Sequence, residues 1–268
     1  TMRLPRLPRS VELSRPIVSI VTAVHEREAT IADALHSVRA QTYPAIEHLV
    51  IDGASEDRTL EIVEQLRTPA MRVLSEPDDG IYDALNKGMA LASGEILGMI
   101  HSDDRFADAR VVADVAACFA DPAVEAVYGD LEYVAADDPE RVVRYWRAGD
   151  FSAARLRRGW MPPHPTLFVR RSVVERLGAY DTHYRIAADY EAVLRWFGQD
   201  VVARYLPRVL VRMRLGGASN ASLGRLLRKS SEDYRALRRT GIGGLGALFL
   251  KNTSKLAQFV VRQEPIAR

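Results

Sequence analysis

A single cysteine, Cys118, occurs in the 268 residues, so no disulfide can close within the chain. A chain of this length buries enough core to fold without such a staple, which fits a reducing compartment. No apolar run approaches the roughly 18 residues of a membrane-spanning helix, and residues 2–16 lack the apolar stretch of a secretory signal. The expectation is a cytoplasmic protein, peripheral at most on the cytoplasmic face of the membrane. Glycine and proline number only 17 and 13, too few for a fibrous or low-complexity chain. Net charge is also slight, at +2, which excludes a uniformly basic nucleic-acid binder.

That near-neutrality is a sum of unlike parts. Residues 1–16 carry four arginines against Glu12, and residues 221–268 carry ten basic groups against three acidic ones. The body between them is correspondingly acidic. The charge division suggests a basic arm over 1–15, a main domain over 16–220 and a basic amphipathic helical tail over 221–268.

From Pro16 onward, short β-branched runs alternate with helical spacing, the pattern of βαβ units. Strands are predicted over 17–24, 46–51, 71–74, 96–101 and 124–128. Helices are predicted after Thr30, on Ile31, Leu35 and Val38, and over 59–66, 81–92 and 111–119. The fold expected is α/β, an open doubly wound, mainly parallel sheet flanked by helices, with a C-terminal helical extension. Past residue 130 the alternation loosens into strands over 141–146, 166–169 and 201–213, helices over 172–177 and 187–197, and a loop over 149–165.

In such sheets ligands sit beyond the carboxyl ends of the strands. Here those ends are Thr22 to Glu26, Asp52, Glu76 to Asp79 and Ser102 to Asp104, mostly acidic. The glycine cradle that brings helix-terminal amides to a pyrophosphate is missing after the first strand. One G-x-G-x-x-G match, Gly241 to Gly246, follows Arg238-Arg239-Thr240 rather than a strand, and reads as a break between helices. A bound diphosphate would need another neutraliser. Asp103-Asp104 offers one, because Mg²⁺ and Mn²⁺ take one or two carboxylates and complete their shell with phosphate oxygens and water. The same pair is equally suited to capping a turn. Its surroundings favour a cation, since residues 76–104 hold seven acidic groups and a single basic one, Lys87, and so many like charges repel unless a cation offsets them.

Four ordered stretches are Pro16-Ile-Val-Ser-Ile-Val-Thr-Ala-Val, Val50-Ile-Asp-Gly-Ala-Ser-Glu-Asp-Arg-Thr59, Ser75-Glu-Pro-Asp-Asp-Gly-Ile-Tyr-Asp-Ala-Leu-Asn-Lys-Gly88 and Ile100-His-Ser-Asp-Asp104. Together they closely resemble the family 2 glycosyltransferases, inverting GT-A enzymes that use nucleotide-activated sugars. The likeness continues through Pro163-His-Pro-Thr-Leu-Phe-Val-Arg-Arg171 and Ile186-Ala-Ala-Asp-Tyr-Glu191 to about residue 217. It is greatest toward non-processive enzymes that build bacterial surface polysaccharides or glycolipids. The Gln-x-x-Arg-Trp signature of processive members is absent, Arg195-Trp196 lacking the Gln.

The resemblance implies a nucleobase and ribose near Thr22, Ala23, Val24 and Glu26, with Asp52 accepting from the base, most often uracil, so that a UDP-sugar is the donor expected. It implies further nucleotide-sugar contacts at Asp83, Lys87, Ser102 and Asp103, and a divalent metal, Mn²⁺ or Mg²⁺, on Asp104 with Asp103 beside it. Asp189 corresponds to the catalytic base. Two positions depart from the commoner pattern: Gly53 replaces a second Asp, and Leu85 replaces an Arg whose contacts Lys87 is a candidate to supply. Residue type alone allows Asp189 to be a helix N-cap instead, with Glu191 the other candidate base. His164 and Trp160 are candidates for acceptor or diphosphate contacts, or for packing, and Arg155, Arg157 and Arg158 for gripping phosphate or forming a solvated edge.

In the tail, Leu223, Leu226, Leu227, Tyr234 and Leu237, then Leu245, Leu248, Phe249, Leu256, Phe259 and Val260, recur at helical spacing among basic residues. Such helices lie on anionic membranes, or pack on the main domain or a second subunit. The function expected is transfer of a sugar from a nucleotide sugar to a glycan or lipid-linked acceptor, by an enzyme that is a monomer or a homo-oligomer. The alternatives are a sugar nucleotidyltransferase, disfavoured by the missing phosphate loop, and a catalytically silent scaffold binding nucleotide and membrane.

Overall fold

The computed structural model describes residues 15–216 and 223–260, leaving out the side chains of residues 223, 225, 226 and 254–260. The arm over 1–14 and the tail side chains Leu223, Leu226, Leu256, Phe259 and Val260 lie outside the described set.

Strand β1 (Val18–Val24) is buried along its whole length, as the continuous apolar run of a central parallel strand requires. It lies between β2 (Ile46–Asp52) and β4 (Ile96–Met99), with β3 (Met71–Ser75) outside β2, all four parallel. Helices α1 (Ile31–Arg39), α2 (Thr59–Gln65) and α3 (Ile81–Leu91) make the crossovers. Each turns an apolar stripe to the sheet; α1 buries Ile31, Ala34, Leu35 and Val38.

The short antiparallel β5 (Arg105–Phe106) and helix α4 (Val111–Cys118) lead to β6 (Ala126–Val134) and its hairpin partner β7 (Val142–Trp146). Helix α5 (Ala153–Leu156) and a 3-10 turn (His164–Thr166) interrupt the segment expected as loop. They are followed by β8 (Phe168–Arg170), α6 (Arg171–Leu177), α7 (Ala188–Phe197) and β9 (Ala203–Arg214). The strand order is β3-β2-β1-β4-β8-β6-β9-β5. Strand β8 is antiparallel to both β4 and β6, and β6 is parallel to β9. The main direction of the sheet thus survives beyond its antiparallel insertion, giving the mainly parallel α/β architecture expected.

Registers set the site. Val24 pairs with Asp52 and Asp52 with Ser75, so three strand ends lie level, beside the 100–104 turn that follows β4. One core cluster, containing Trp196, Tyr128 and Leu85, fills one face of the sheet, and a second, containing Ile20, Phe168 and Val115, fills the other.

The tail forms a hairpin of α8 (Leu223–Thr240) and α9 (Leu245–Val260). Its glycine-rich stretch is the break between these two helices. The apolar residues divide between two faces. Ala236, Leu237 and Ala247 are buried in the main core, whereas Leu227, Leu245 and Phe249 are each about two-thirds exposed. Close approach is possible because Gly159 has φ +84° and no side chain; a Cβ there would lie 2.6 Å from the Ala247 carbonyl oxygen and 2.7 Å from the Lys251 Cβ.

Candidate active site

The donor side is built on the ends of β1, β2 and β3. Asp52 is fully buried, accepting from the Ser55 amide at 3.1 Å, the Ser55 hydroxyl at 2.5 Å and the Ser75 hydroxyl at 2.7 Å. It thereby orders the turn after β2. Thr22, Ala23 and Val24 are also buried, and the Thr22 hydroxyl pairs with His48 Nε2 at 3.0 Å. Burial leaves the strand-end backbone, rather than these side chains, toward a ligand. Glu26 is exposed at φ +50°, and its backbone N–H donates a hydrogen bond to the Ser55 hydroxyl oxygen at 2.9 Å. The missing side chain of Gly53 leaves room for Asp78, whose Oδ2 lies 2.5 Å from where a Cβ would stand. Asp78 therefore joins this corner, and only the acidic character of residues 76–79 signalled it in the sequence.

Lys87 is already engaged. Its ammonium lies 2.9 Å from Glu76, 3.3 Å from Asp83 and 2.8 Å from the Pro77 carbonyl oxygen. Asp83 also accepts from the Asp79 amide at 3.2 Å. These two residues brace the 76–83 loop. Leu85 is buried in the core, so an arginine at that position would have to leave it.

Beyond β4, Ser102 and Asp104 are buried and Asp103 is half-buried. Asp104 accepts from the Arg214 amide at 3.1 Å through Oδ1, while its buried Oδ2 has no protein partner. Burial, then the neighbouring Asp103, pushes its pKa well above the usual carboxylate range. A desolvated, unpartnered carboxylate oxygen beside a second carboxylate fits a hard divalent cation. Among the described residues no three acidic, His or Cys side chains cluster to hold a metal alone, so further ligands would come from phosphate and water.

Across the site stands Asp189, in the first turn of α7. It is not an N-cap: that position is Ala187, and the Asp189 Oδ1 accepts from the adjacent Tyr190 amide at 2.7 Å. Trp196 and Phe197 sink the far end of α7 into the core, so the helix is a rigid mount. Burial alone would raise the pKa of Asp189, but His164, Lys229, Lys251 and the Tyr190 amide outweigh it and hold the carboxyl below its ordinary value. The positive end of the α7 dipole acts in the same direction. The other candidate base, Glu191, is buried and paired with Arg195 at 2.9 Å. Arg195 in turn donates to the Gly178 and Ala179 carbonyls, so Glu191 serves packing.

Two histidines link the sides. The His101 and His164 rings lie 6.1 Å apart; Asp103 and Asp189 both bear on His101, and Asp189 also on His164. Burial lowers the His164 pKa to about 4, so the ring is neutral at neutral pH and brings no charge to a diphosphate. Its Nε2 lies 2.8 Å from the Tyr180 hydroxyl, and Asn86 clamps the Tyr180 backbone with bonds of 2.8 and 3.0 Å. His101, Tyr180 and Tyr82 went unassigned in the sequence. His101 sits within a recognised motif, but the tyrosines converge on the site only through the fold. Trp160 is packed among Tyr128, Phe151 and Phe197, donates to the Ala148 carbonyl at 2.9 Å and lies beneath Arg155. It anchors the loop, while Arg157 and Arg158 are exposed.

The mainly parallel sheet with its antiparallel insertion, acidic at its strand ends, has the GT-A architecture. The chain belongs to the family described as Glycosyl transferase family 2, whose model matches residues 19–178. It is 36% identical over 189 residues to the uncharacterised glycosyltransferase Rv1514c of Mycobacterium tuberculosis, covering 68% of this chain and 69% of that protein. It is 29% identical over 214 residues to a PGL/p-HBAD biosynthesis glycosyltransferase of Mycobacterium bovis, covering 78% and 81%. Among solved structures, the mannosyltransferase PcManGT of Pyrobaculum calidifontis, in complex with GDP-Man and Mn²⁺, superposes with a TM-score of 0.64 at 21% identity, covering 94% of this chain and 78% of that one. The likeness in structure shows the fold. Family membership makes the chain a glycosyltransferase and sets aside the nucleotidyltransferase and the silent scaffold.

Proposed function

We propose that the protein moves a sugar from a nucleoside diphosphate sugar, a UDP-sugar first, to a hydroxyl of a glycan or lipid-linked acceptor by single displacement with inversion. The observation that supports this most is the convergence of Asp103 and Asp189 on His101, 6.1 Å from the His164 ring on which Asp189 also bears, with the unpartnered Asp104 oxygen adjoining Asp103. The acceptor oxygen attacks the anomeric carbon while Asp189 takes its proton, and the bond from that carbon to the diphosphate oxygen breaks. Asp189, held ionised, is ready to accept at neutral pH. Asp104 and Asp103 would hold a divalent ion, which when bound would stabilise the charge growing on the diphosphate. The PcManGT complex, with a nucleotide sugar and Mn²⁺ on the same fold, supports that pairing by analogy. Carboxylates only accept hydrogen bonds, so half-buried Asp78, beside the fully buried and already engaged Asp52, suits a base with a ring N–H, uracil first and guanine second.

For the acceptor, the PGL/p-HBAD relative supports a surface glycan or lipid-linked substrate. The exposed Leu227, Leu245, Phe249 and Leu250, on a hairpin that also exposes Arg228 and Arg238, form the face that meets an anionic membrane. NMR of the product tests inversion, because retention of the donor's anomeric configuration excludes a single displacement. Substitution of Asp189, with donor binding and transfer measured separately, tests the base.

A further inference from the structure

The helix that carries Asp189 caps itself only at the Tyr190 amide, which the Asp189 carboxylate accepts. Its N-cap position is Ala187, which has no side-chain acceptor, so the amides leading into the helix need one from elsewhere. For the N-cap amide and the two before it, the acceptor arrives from α8. Buried Glu232 receives the Arg185 amide at 3.2 Å through Oε1, and the Ile186 and Ala187 amides at 2.8 and 3.0 Å through Oε2. One carboxylate thus satisfies three consecutive N–H groups and places negative charge at the positive end of the α7 dipole.

Two of these three residues are also tied to the donor side. The Tyr82 hydroxyl of α3 donates to the Ile186 carbonyl at 3.0 Å, and the Arg185 guanidinium donates to the Asp79 carbonyl at 2.6 Å. Ile186 is therefore held by its carbonyl from the donor loop and by its amide from α8, three residues before Asp189. The hairpin makes a second contribution through α8 Lys229 and α9 Lys251, both of which bear on Asp189. Lys251 lies 2.7 Å from Asp233 and 3.2 Å from the Tyr190 ring centroid.

We infer that Glu232 is a positioning residue for sugar transfer: by fixing the amides of residues 185–187 it aims the Asp189 carboxylate, so that the C-terminal hairpin forms part of the active site. This rests on Asp189 being the base. A carboxylate misaimed by about 1 Å can lose roughly 100-fold in rate without loss of substrate binding.

The test compares Glu232→Ala and Glu232→Gln in the full chain, each alone and combined with Asp189→Asn. Expected is a kcat at least about tenfold lower for Glu232→Ala, with donor KM and calorimetric donor affinity within about twofold of wild type. Glu232→Gln keeps one accepting oxygen and should fall between; if the alanine variant does not fold, the glutamine variant carries the kcat comparison. In the Asp189→Asn background, Glu232→Gln should cost nothing further, because both changes disable one device. Unchanged kcat in a folded Glu232 variant overturns the inference, as does a loss of kcat matched by an equal loss of donor affinity, or full additivity with Asp189→Asn. Wild-type transfer by Asp189→Asn alone would instead remove the base assignment on which the inference rests.

Discussion

His101 and His164 lie with ring centroids 6.1 Å apart and their planes tilted by 36°, within the electrostatic reach of carboxylates from two parts of the chain. Asp103 bears on the first ring and Asp189 on both. His164 is buried and His101 half-buried, and desolvation lowers both pKa values, so the rings beside these carboxylates favour the neutral form.

The first prediction concerns Asp104. Its Oδ2 is buried and unpartnered, a disposition that weakens the fold and would suit a cation. Asp104→Asn is expected to abolish the Mn²⁺-dependent part of nucleoside diphosphate binding in calorimetry, while the metal-free thermal midpoint stays level or rises. An unaltered Mn²⁺ response in this variant would exclude Asp104 as a ligand.

A second prediction follows from His48, buried against Thr22 with its pKa lowered from 6.5 to about 4. The folded state keeps the ring neutral, whereas the unfolded chain binds a proton below pH 6.5. Stability is therefore complete above that value and declines as pH falls toward 4, by about 3 kcal/mol over the full span. Urea unfolding at pH 7 and pH 5 should show the decline. His48→Gln should make it shallower, with His164, similarly shifted, supplying part of the remainder.

Gly159 provides a third. With φ +84° and α9 pressed against it, Gly159→Ala should lower stability by roughly 1–3 kcal/mol through backbone strain and displacement of the hairpin. A thermal midpoint equal to wild type would show that the hairpin is not seated there.

The fourth addresses the exposed apolar face of the tail. Removing residues 221–268 would also remove Glu232 and the buried Ala236, Leu237 and Ala247, so point changes are cleaner. Leu245→Ser with Phe249→Ser should reduce co-sedimentation with anionic vesicles and leave transfer to a soluble acceptor unchanged. If vesicle binding persists and light scattering instead shows loss of a dimer, the face covers a second copy of the chain.

The parallel half of the sheet was legible because its strands are continuous apolar runs and its helices carry clear stripes, as in Val18–Val24 and Ile31–Arg39. Beyond residue 124 the signals weaken for identifiable reasons. Gly129 and Asp130 look like a turn, yet β6 runs through them to Val134, because Asp130 is satisfied by the Ala148 amide at 2.8 Å and the Tyr205 hydroxyl at 2.7 Å. Strand β5 is two residues long, too short for any periodicity. At the site, Asp103, Asp104 and Asp189 stand in motifs and could be singled out. Glu232 could not: in a basic amphipathic helix, 43 residues after Asp189, it has the pattern of a solvated side chain, and only tertiary packing turns it toward α7.

The central claim, that Asp189 is the proton acceptor in a sugar transfer, is tested most directly by Asp189→Asn assayed with one donor preparation for both binding and turnover. Donor affinity by calorimetry should remain within about twofold of wild type, and product formation should fall by roughly 100- to 10,000-fold. Transfer at the wild-type rate by the Asp189→Asn protein would contradict it.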